Sequence, residues 1–198
     1  DARLPCAARC GTRVVVRIAI AGSHQVGKSA LVDELAAALP GYATVDEPYH
    51  AMAEDGHEFA DPPSREDFEA QLAHALAALA DADDRTLFDR SPVDLLAYLL
   101  EHDEADDVDP DAWLPQLRAA VEALDLIVFV PIEAPDRIAA AARDDHPAWR
   151  RRVDARLRAL LVEGALGADV EVLEVQGSVA RRAQAVLARV RPTRPPAR

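Results

Sequence analysis

The sequence predicts an α/β fold, a three-layer sandwich in which a five-stranded parallel sheet carries helices on both faces. Short β-branched runs alternate with longer segments of helical spacing along the chain, the pattern of parallel strands joined by right-handed crossovers. The first such run passes through a glycine-bounded turn directly into a helix. The 198 residues are 50% hydrophobic but only 5% aromatic. That composition suits alanine-rich helices around one compact sheet, and the length is short for two well-packed cores. One domain, 14–190, is therefore expected between tails at 1–13 and 191–198.

The N-terminal tail holds Cys6 and Cys10, the only cysteines. No disulfide can staple the core, which fits a reducing cytoplasm, and a lone CxxxC without a second Cys/His pair is poor evidence for a metal. The run VVVRIAIA, Val14 to Ala21, reads as a buried central strand. It is interrupted by Arg17, falls far short of the ~20 residues that span a bilayer, and lacks a cleavage site after it. Neither membrane insertion nor secretion is expected. A turn follows from Gly22 to Gly27, then a helix from Ser29 to Leu39 with Leu31, Val32, Leu35 and Leu39 at helical spacing, stopped by Pro40-Gly41.

A second strand, Ala43 to Asp46, ends at Glu47-Pro48, where proline interrupts the ladder. Asp61-Pro62-Pro63-Ser64 caps a long helix, about Arg65 to Ala82, with Phe68, Leu72, Leu76 and Leu79 on one face. Thr86 to Phe88 is a third strand ending at Asp89, and Ser91-Pro92 opens the helix that carries Val93, Leu95, Leu96, Leu99 and Leu100. Glu101 to Asp111 is an acidic, solvated loop. Its spacing fails as a calcium loop, because no glycine stands at the turn and Arg118 occupies the closing position that needs Glu. Trp113 to Leu124 is a helix and Leu126 to Val130 a fourth strand buried on both faces. A short helix from Pro135 to Ala142 breaks at Arg143 to Pro147, and a basic helix runs from about Ala148 to Glu163. Val170 to Val175 is the fifth strand and Ser178 to Val190 the last helix.

A net charge of −13 argues against general affinity for nucleic-acid backbones. Any phosphate must be held by local chemistry, and GSHQVGKS supplies it. Gly22-Ser23-His24-Gln25-Val26-Gly27-Lys28-Ser29 fits G-x-x-x-x-G-K-[ST] at every fixed position. The glycines let the backbone turn its N–H groups inward, Lys28 sets a charge on the β/γ-phosphates, and Ser29 offers its hydroxyl to Mg²⁺. The helix that continues through Ala30 adds its positive end. His24 and Gln25 are expected to project as specificity or packing groups. Lys28 is the one lysine among 22 basic residues, in a chain that otherwise writes positive charge as arginine. The motif sits between strand and helix, the context it requires. A P-loop binding Mg²⁺ and ATP, or a related nucleoside triphosphate, is the expectation.

The metal also needs a carboxylate near the loop. Asp89, at the C-terminal end of a strand, is the candidate, with helix capping as its alternative role; Asp125 precedes its strand and emerges at the opposite edge. Together GSHQVGKS, Asp46-Glu47-Pro48, Gln71 on a long helix and FDRSPVDLLAYLL (Phe88 to Leu100) resemble the P-loop kinase-like family. That family includes nicotinamide-riboside kinase domains and bacterial AAA-type ATP-binding proteins, and the pattern is also similar to deoxynucleoside kinases. The resemblance implies that Asp89 lies on a strand beside the loop strand and that Glu47 is the general base for an acceptor hydroxyl. It further implies that Gln71 hydrogen bonds a base-like ring and that Arg90 holds the acceptor or the moving phosphoryl. This sequence departs from the deoxynucleoside kinases in its candidate lid, Arg137 to His146, which has only Arg137 and Arg143. It departs from the nicotinamide type in reading Pro48-Tyr49-His50 after the glutamate.

Arg143 is the candidate finger over the γ-phosphate. Arg150, Arg151, Arg152, Arg156 and Arg158 read as a charged helix face pairing with the acidic loop, Asp154 and Glu163, with a second phosphate site as the alternative. Two functions remain open: a kinase acting on a nucleoside-like small molecule, or an NTPase switch with a protein partner. A kinase needs a second cavity lined by Glu47, Tyr49, Gln71 and Arg90, and a switch needs a loop rearranged by the γ-phosphate.

Overall fold

The computed structural model describes residues 17–102, 109–135 and 146–190. The two tails, most of the helix expected from Pro135, Arg143 and most of the acidic loop lie outside the described residues. The elements run β1 (Arg17–Ala21), α1 (Lys28–Ala38), β2 (Ala43–Val45), α2 (Pro48–Glu54), α3 (Arg65–Asp81), β3 (Thr86–Asp89) and α4 (Pro92–Leu100). They continue with α5 (Pro110–Glu122), β4 (Leu126–Phe129), α6 (Pro147–Leu161), β5 (Val172–Glu174) and α7 (Val179–Val190).

The five strands form one parallel sheet in the order β2-β3-β1-β4-β5, so the strand ending at Asp89 lies against the strand that leads into the glycine loop. Side chains alternate across the sheet with the period of two that a pleated strand imposes. On one face Ile18, Ile20, Leu87, Leu126 and Val128 pack against Leu31 and Leu35 of α1 and Val186 of α7. On the other, Ala19, Phe88, Ile127 and Phe129 pack against α3, α4, α5 and α6 through Leu72, Leu96, Leu117 and Leu157. These are the three layers expected. Among the described residues no helix is long and apolar enough to cross a membrane.

Boundaries shift where caps differ from expectation. α2 fills a stretch in which no element was expected: the Pro48 that ends the strand pattern also sits favourably in a first helical turn. α5 starts at Pro110 rather than Trp113, because Asp109 caps it by accepting from the Asp111 N–H. β5 is shorter than the apolar run that suggested it. Ser64 and Ser91 each form a capping box, with Asp67 and Asp94.

Candidate active site

The loop between β1 and α1 is shaped by residues with positive φ: Gly22 at 154°, Gln25 at 55° and Gly27 at 84°. A Cβ on Gly22 would lie 2.5 Å from the Val130 carbonyl oxygen and 2.9 Å from a Val26 methyl. No side chain fits there, so glycine is required by contact as well as by φ. Lys28 opens α1 almost fully buried and donates from Nζ to the Ser23 carbonyl at 2.8 Å. Burial first, then the neighbouring Arg90, lowers its ammonium to about 8, against the opposing pull of Glu47, Asp94 and Asp89. His24, Gln25, Gly27, Lys28, Ser29 and Ala30 border an open cavity of about 280 Å³, closed on its far side by Glu47 and Arg90.

Asp89 ends β3 beside this cavity and is mostly buried. Burial raises its carboxyl above the ordinary range, opposed by a hydrogen bond from Ser29 and by Lys28. Its Oδ1 is buried without a hydrogen-bond partner, and such an atom calls for a donor or a cation. A hydroxyl and a single carboxylate, with water and phosphate oxygens completing the shell, are the donor set that Mg²⁺ accepts. Among the described residues no group of three or more His, Cys, Asp or Glu could form an all-protein metal cage. Asp125 lies at the other end of the sheet, where its Oδ2 accepts from the Arg17 N–H at 2.9 Å.

Glu47 precedes α2 and meets Arg90 from the β3–α4 turn. Arg90 has φ 103°, a rare conformation for a bulky residue. Its Nε donates to Glu47 Oε1 at 2.8 Å, its Nη2 donates to the same oxygen, and its guanidinium lies 5.2 Å from the Tyr98 ring centroid. Burial pushes the Glu47 carboxyl upward, but Arg90 and then Lys28 outweigh it and hold the carboxyl below its ordinary value. A second cavity, of about 220 Å³, also borders this pair, and Tyr49 and Gln71 line it together with Glu47 and Arg90. Aromatic side chains supply much of the remaining wall. Phe68 stacks on Tyr98 at 5.3 Å, Trp149 meets Tyr98 edge-on at 5.2 Å, and all three face the cavity. Gln71 is buried, with Nε2 donating to the Asp67 carbonyl.

Several residues at the site escaped the sequence reading. Asp94 is fully buried; its Oδ1 accepts the Gly22 N–H at 2.6 Å and its Oδ2 the Ser91 N–H at 2.9 Å. The Ser91-x-x-Asp94 spacing of a capping box was the signal available. The Tyr98 hydroxyl accepts from the His24 N–H at 2.6 Å and lies 3.0 Å from His24 Nδ1, so His24 packs toward the second cavity while Gln25 is exposed.

The expected charged face of α6 needs correction. Arg152 and Arg156 do pair with Glu101, but Arg158 pairs with Glu174, and Asp154 accepts from the Ile132 N–H. Arg150 is buried and donates to the His24 and Gln25 carbonyls at 2.7 and 3.0 Å. It lies on the apolar stripe of Val153, Leu157 and Leu160, which helical spacing makes legible. Arg182 of α7, also buried, donates to the Val26 carbonyl at 2.7 Å and to Glu133 at 2.8 Å. Beside it a third cavity of about 420 Å³ lies between residues 131–135 and Gly177-Ser178-Val179.

A family model described as an AAA domain matches residues 17–182. Deoxyadenosine kinase from M. mycoides with bound dATP superposes with a TM-score of 0.58 at 13% identity, over 88% of this chain and 98% of that one. Shikimate kinase from Acinetobacter baumannii in complex with shikimate gives 0.58 at 14% identity, over 87% and 91%. The NadR protein in complex with NAD and AMP-PNP gives 0.62 at 18% identity; 90% of this chain matches 50% of that one. At such identities the likeness is one of fold. No curated protein matches at a significant level by sequence.

Proposed function

The chain belongs to the AAA-domain family, and from that premise we propose that it is a kinase moving the γ-phosphoryl of Mg²⁺-ATP to a hydroxyl of a nucleoside-like small molecule. The observation that carries this reading is that Glu47 and Arg90 border both the cavity over the loop and the aromatic cavity beyond it. They stand at the junction where a terminal phosphoryl and an acceptor hydroxyl would meet.

In this reading the phosphates lie on the loop amides and Lys28, and the nucleoside of the triphosphate extends toward the cavity beside Arg182. Ser29 and Asp89 would hold Mg²⁺, which neutralises charge on the phosphate oxygens. The acceptor's ring lies among Phe68, Tyr98 and Trp149, within reach of Gln71. Glu47 orients the acceptor hydroxyl and takes its proton as the oxygen bonds to the γ-phosphorus and the bond to the β-phosphate oxygen breaks, releasing ADP. Glu47 stays ionised beside Arg90, which suits a loose transition state in which the hydroxyl proton leaves late. Arg90 is placed to steady charge on the transferred group. Arg143 remains the candidate finger from outside the described residues. The chemistry suits a cytoplasmic enzyme supplied with ATP.

A screen of nucleosides and related alcohols with Mg²⁺-ATP, scored by ADP release above the acceptor-free rate, tests the proposal. Stimulation by one class of alcohol, with a phosphorylated product, is the expected result. Acceptor-independent hydrolysis that no alcohol stimulates would instead favour an NTPase switch.

A further inference from the structure

The carbonyl groups of the phosphate loop are gripped one after another by two buried cations from different helices. Arg150 of α6 donates to His24 and Gln25, and Arg182 of α7 to Val26. The peptide bonds here are trans, and in a planar trans peptide the N–H points opposite to the C=O. Drawing the carbonyls of residues 24, 25 and 26 toward the arginines therefore turns the N–H groups of Gln25, Val26 and Gly27 to the other side. Two other loop amides are already committed to α4: Gly22 donates to Asp94 and His24 to Tyr98.

We infer that Arg150 and Arg182 are positioning residues for the triphosphate, which hold the loop in its phosphate-receiving shape through its carbonyls. The inference rests on the reading of residues 22–29 as a triphosphate cradle. Both residues are buried, Arg150 2% and Arg182 3% exposed, so their geometry is set by packing before any ligand arrives, and the ordering cost of binding is correspondingly reduced. The fork of an arginine suits this task, since Arg150 spans two successive carbonyls from Nε and Nη2. Glu133 orients Arg182 from its other side. Arg152, Arg156 and Arg158 of the same helix turn instead to Glu101 and Glu174.

Both arginines also border the cavity beside α7, so the test must separate shaping of the loop from direct contact with a nucleoside. Calorimetric titration of inorganic tripolyphosphate and of ATP, each with Mg²⁺, into the wild-type protein and the Arg150→Met, Arg182→Met, Arg150→Lys and Arg182→Lys variants does so. The Met variants are expected to bind both ligands about tenfold or more weakly, with stoichiometry still near one per chain, and the Lys variants to fall between. Reduced stoichiometry at unchanged affinity would mark a structural role only and overturn the inference. So would a folded variant with wild-type affinity for tripolyphosphate, or a loss confined to ATP. If a Met variant does not fold, its Lys counterpart decides by the same criteria. A wild-type protein that binds neither ligand would defeat the cradle reading itself, and the inference with it.

Discussion

Arg90 and Glu47, 43 residues apart in sequence, share one carboxylate oxygen at 2.8 Å from Nε, and both residues line two cavities. The side chains are 6% and 17% exposed, so the interaction is shielded and removing one partner leaves a buried charge uncompensated. Glu47→Gln retains shape and an acceptor for Arg90 but cannot take a proton. Phosphoryl transfer is expected to fall about 10²–10⁴-fold, the usual contribution of a positioned general base. ATP affinity should barely move. Acceptor-dependent ADP release and ATP titration check the two halves, and full transfer in the variant would point to Asp46 or Asp89 instead.

Lys28→Ala should abolish turnover and weaken triphosphate binding while the far-UV circular dichroism stays that of the wild type. The ammonium is held by a backbone carbonyl inside the loop, and no other lysine exists in the chain to replace it. Unchanged ATP affinity and rate would defeat the central assignment.

Gln71→Leu keeps volume at a buried position and removes the amide that faces the aromatic cavity. The expected outcome is a rise of about tenfold or more in the acceptor KM with the ATP KM unchanged, the pattern of a lost ground-state contact. Steady-state kinetics with each substrate varied in turn gives the measurement. Equal effects on both substrates would place Gln71 in the scaffold instead.

Asp94 links stability to pH. Burial lifts its carboxyl from the ordinary 3.8 to about 6, against Arg90, Lys28 and the N–H groups of Gly22 and Ser91. The folded state thus holds this proton more tightly than the unfolded state. The corresponding stabilisation is fully present below 3.8 and is lost as pH rises to about 6. Asp94→Asn removes the titration, so the gap between wild-type and variant melting temperatures should narrow across that interval. Thermal unfolding scans over the pH series measure the gap, and a constant difference would contradict the shift.

The order and type of most elements were legible because apolar spacing changes from two to helical at each strand-to-helix junction, and proline or glycine marks many ends. Ser91-Pro92 and Asp61 to Ser64 announced their helices through capping chemistry. α2 was not legible, because Pro48 looks the same in sequence whether it stops a strand or opens a helix. At the site, the loop motif and the strand-end carboxylate Asp89 could be read locally, and Glu47, Gln71 and Arg90 through resemblance. Tyr98 could not: on α4 it counts as one more apolar position, and only the packing of α4 against the loop brings its hydroxyl to the His24 amide. Arg150 was hidden within a run of arginines, where net charge suggested solvent while its helical register pointed to the core.

Trp149 lies on the wall of the aromatic cavity, edge-on to Tyr98, with its indole N–H donating to the Glu101 carbonyl at 2.8 Å. The only other tryptophan, Trp113, is on α5 and borders neither that cavity nor the one over the loop. The protein therefore carries its own optical probe. A ring entering beside Trp149 changes the polarity and stacking around one of two indoles, so quenching or a spectral shift of intrinsic emission reports occupancy of the cavity proposed for the acceptor, without a label. Because no turnover is needed, candidate compounds can be ranked by this signal before any is known to be phosphorylated.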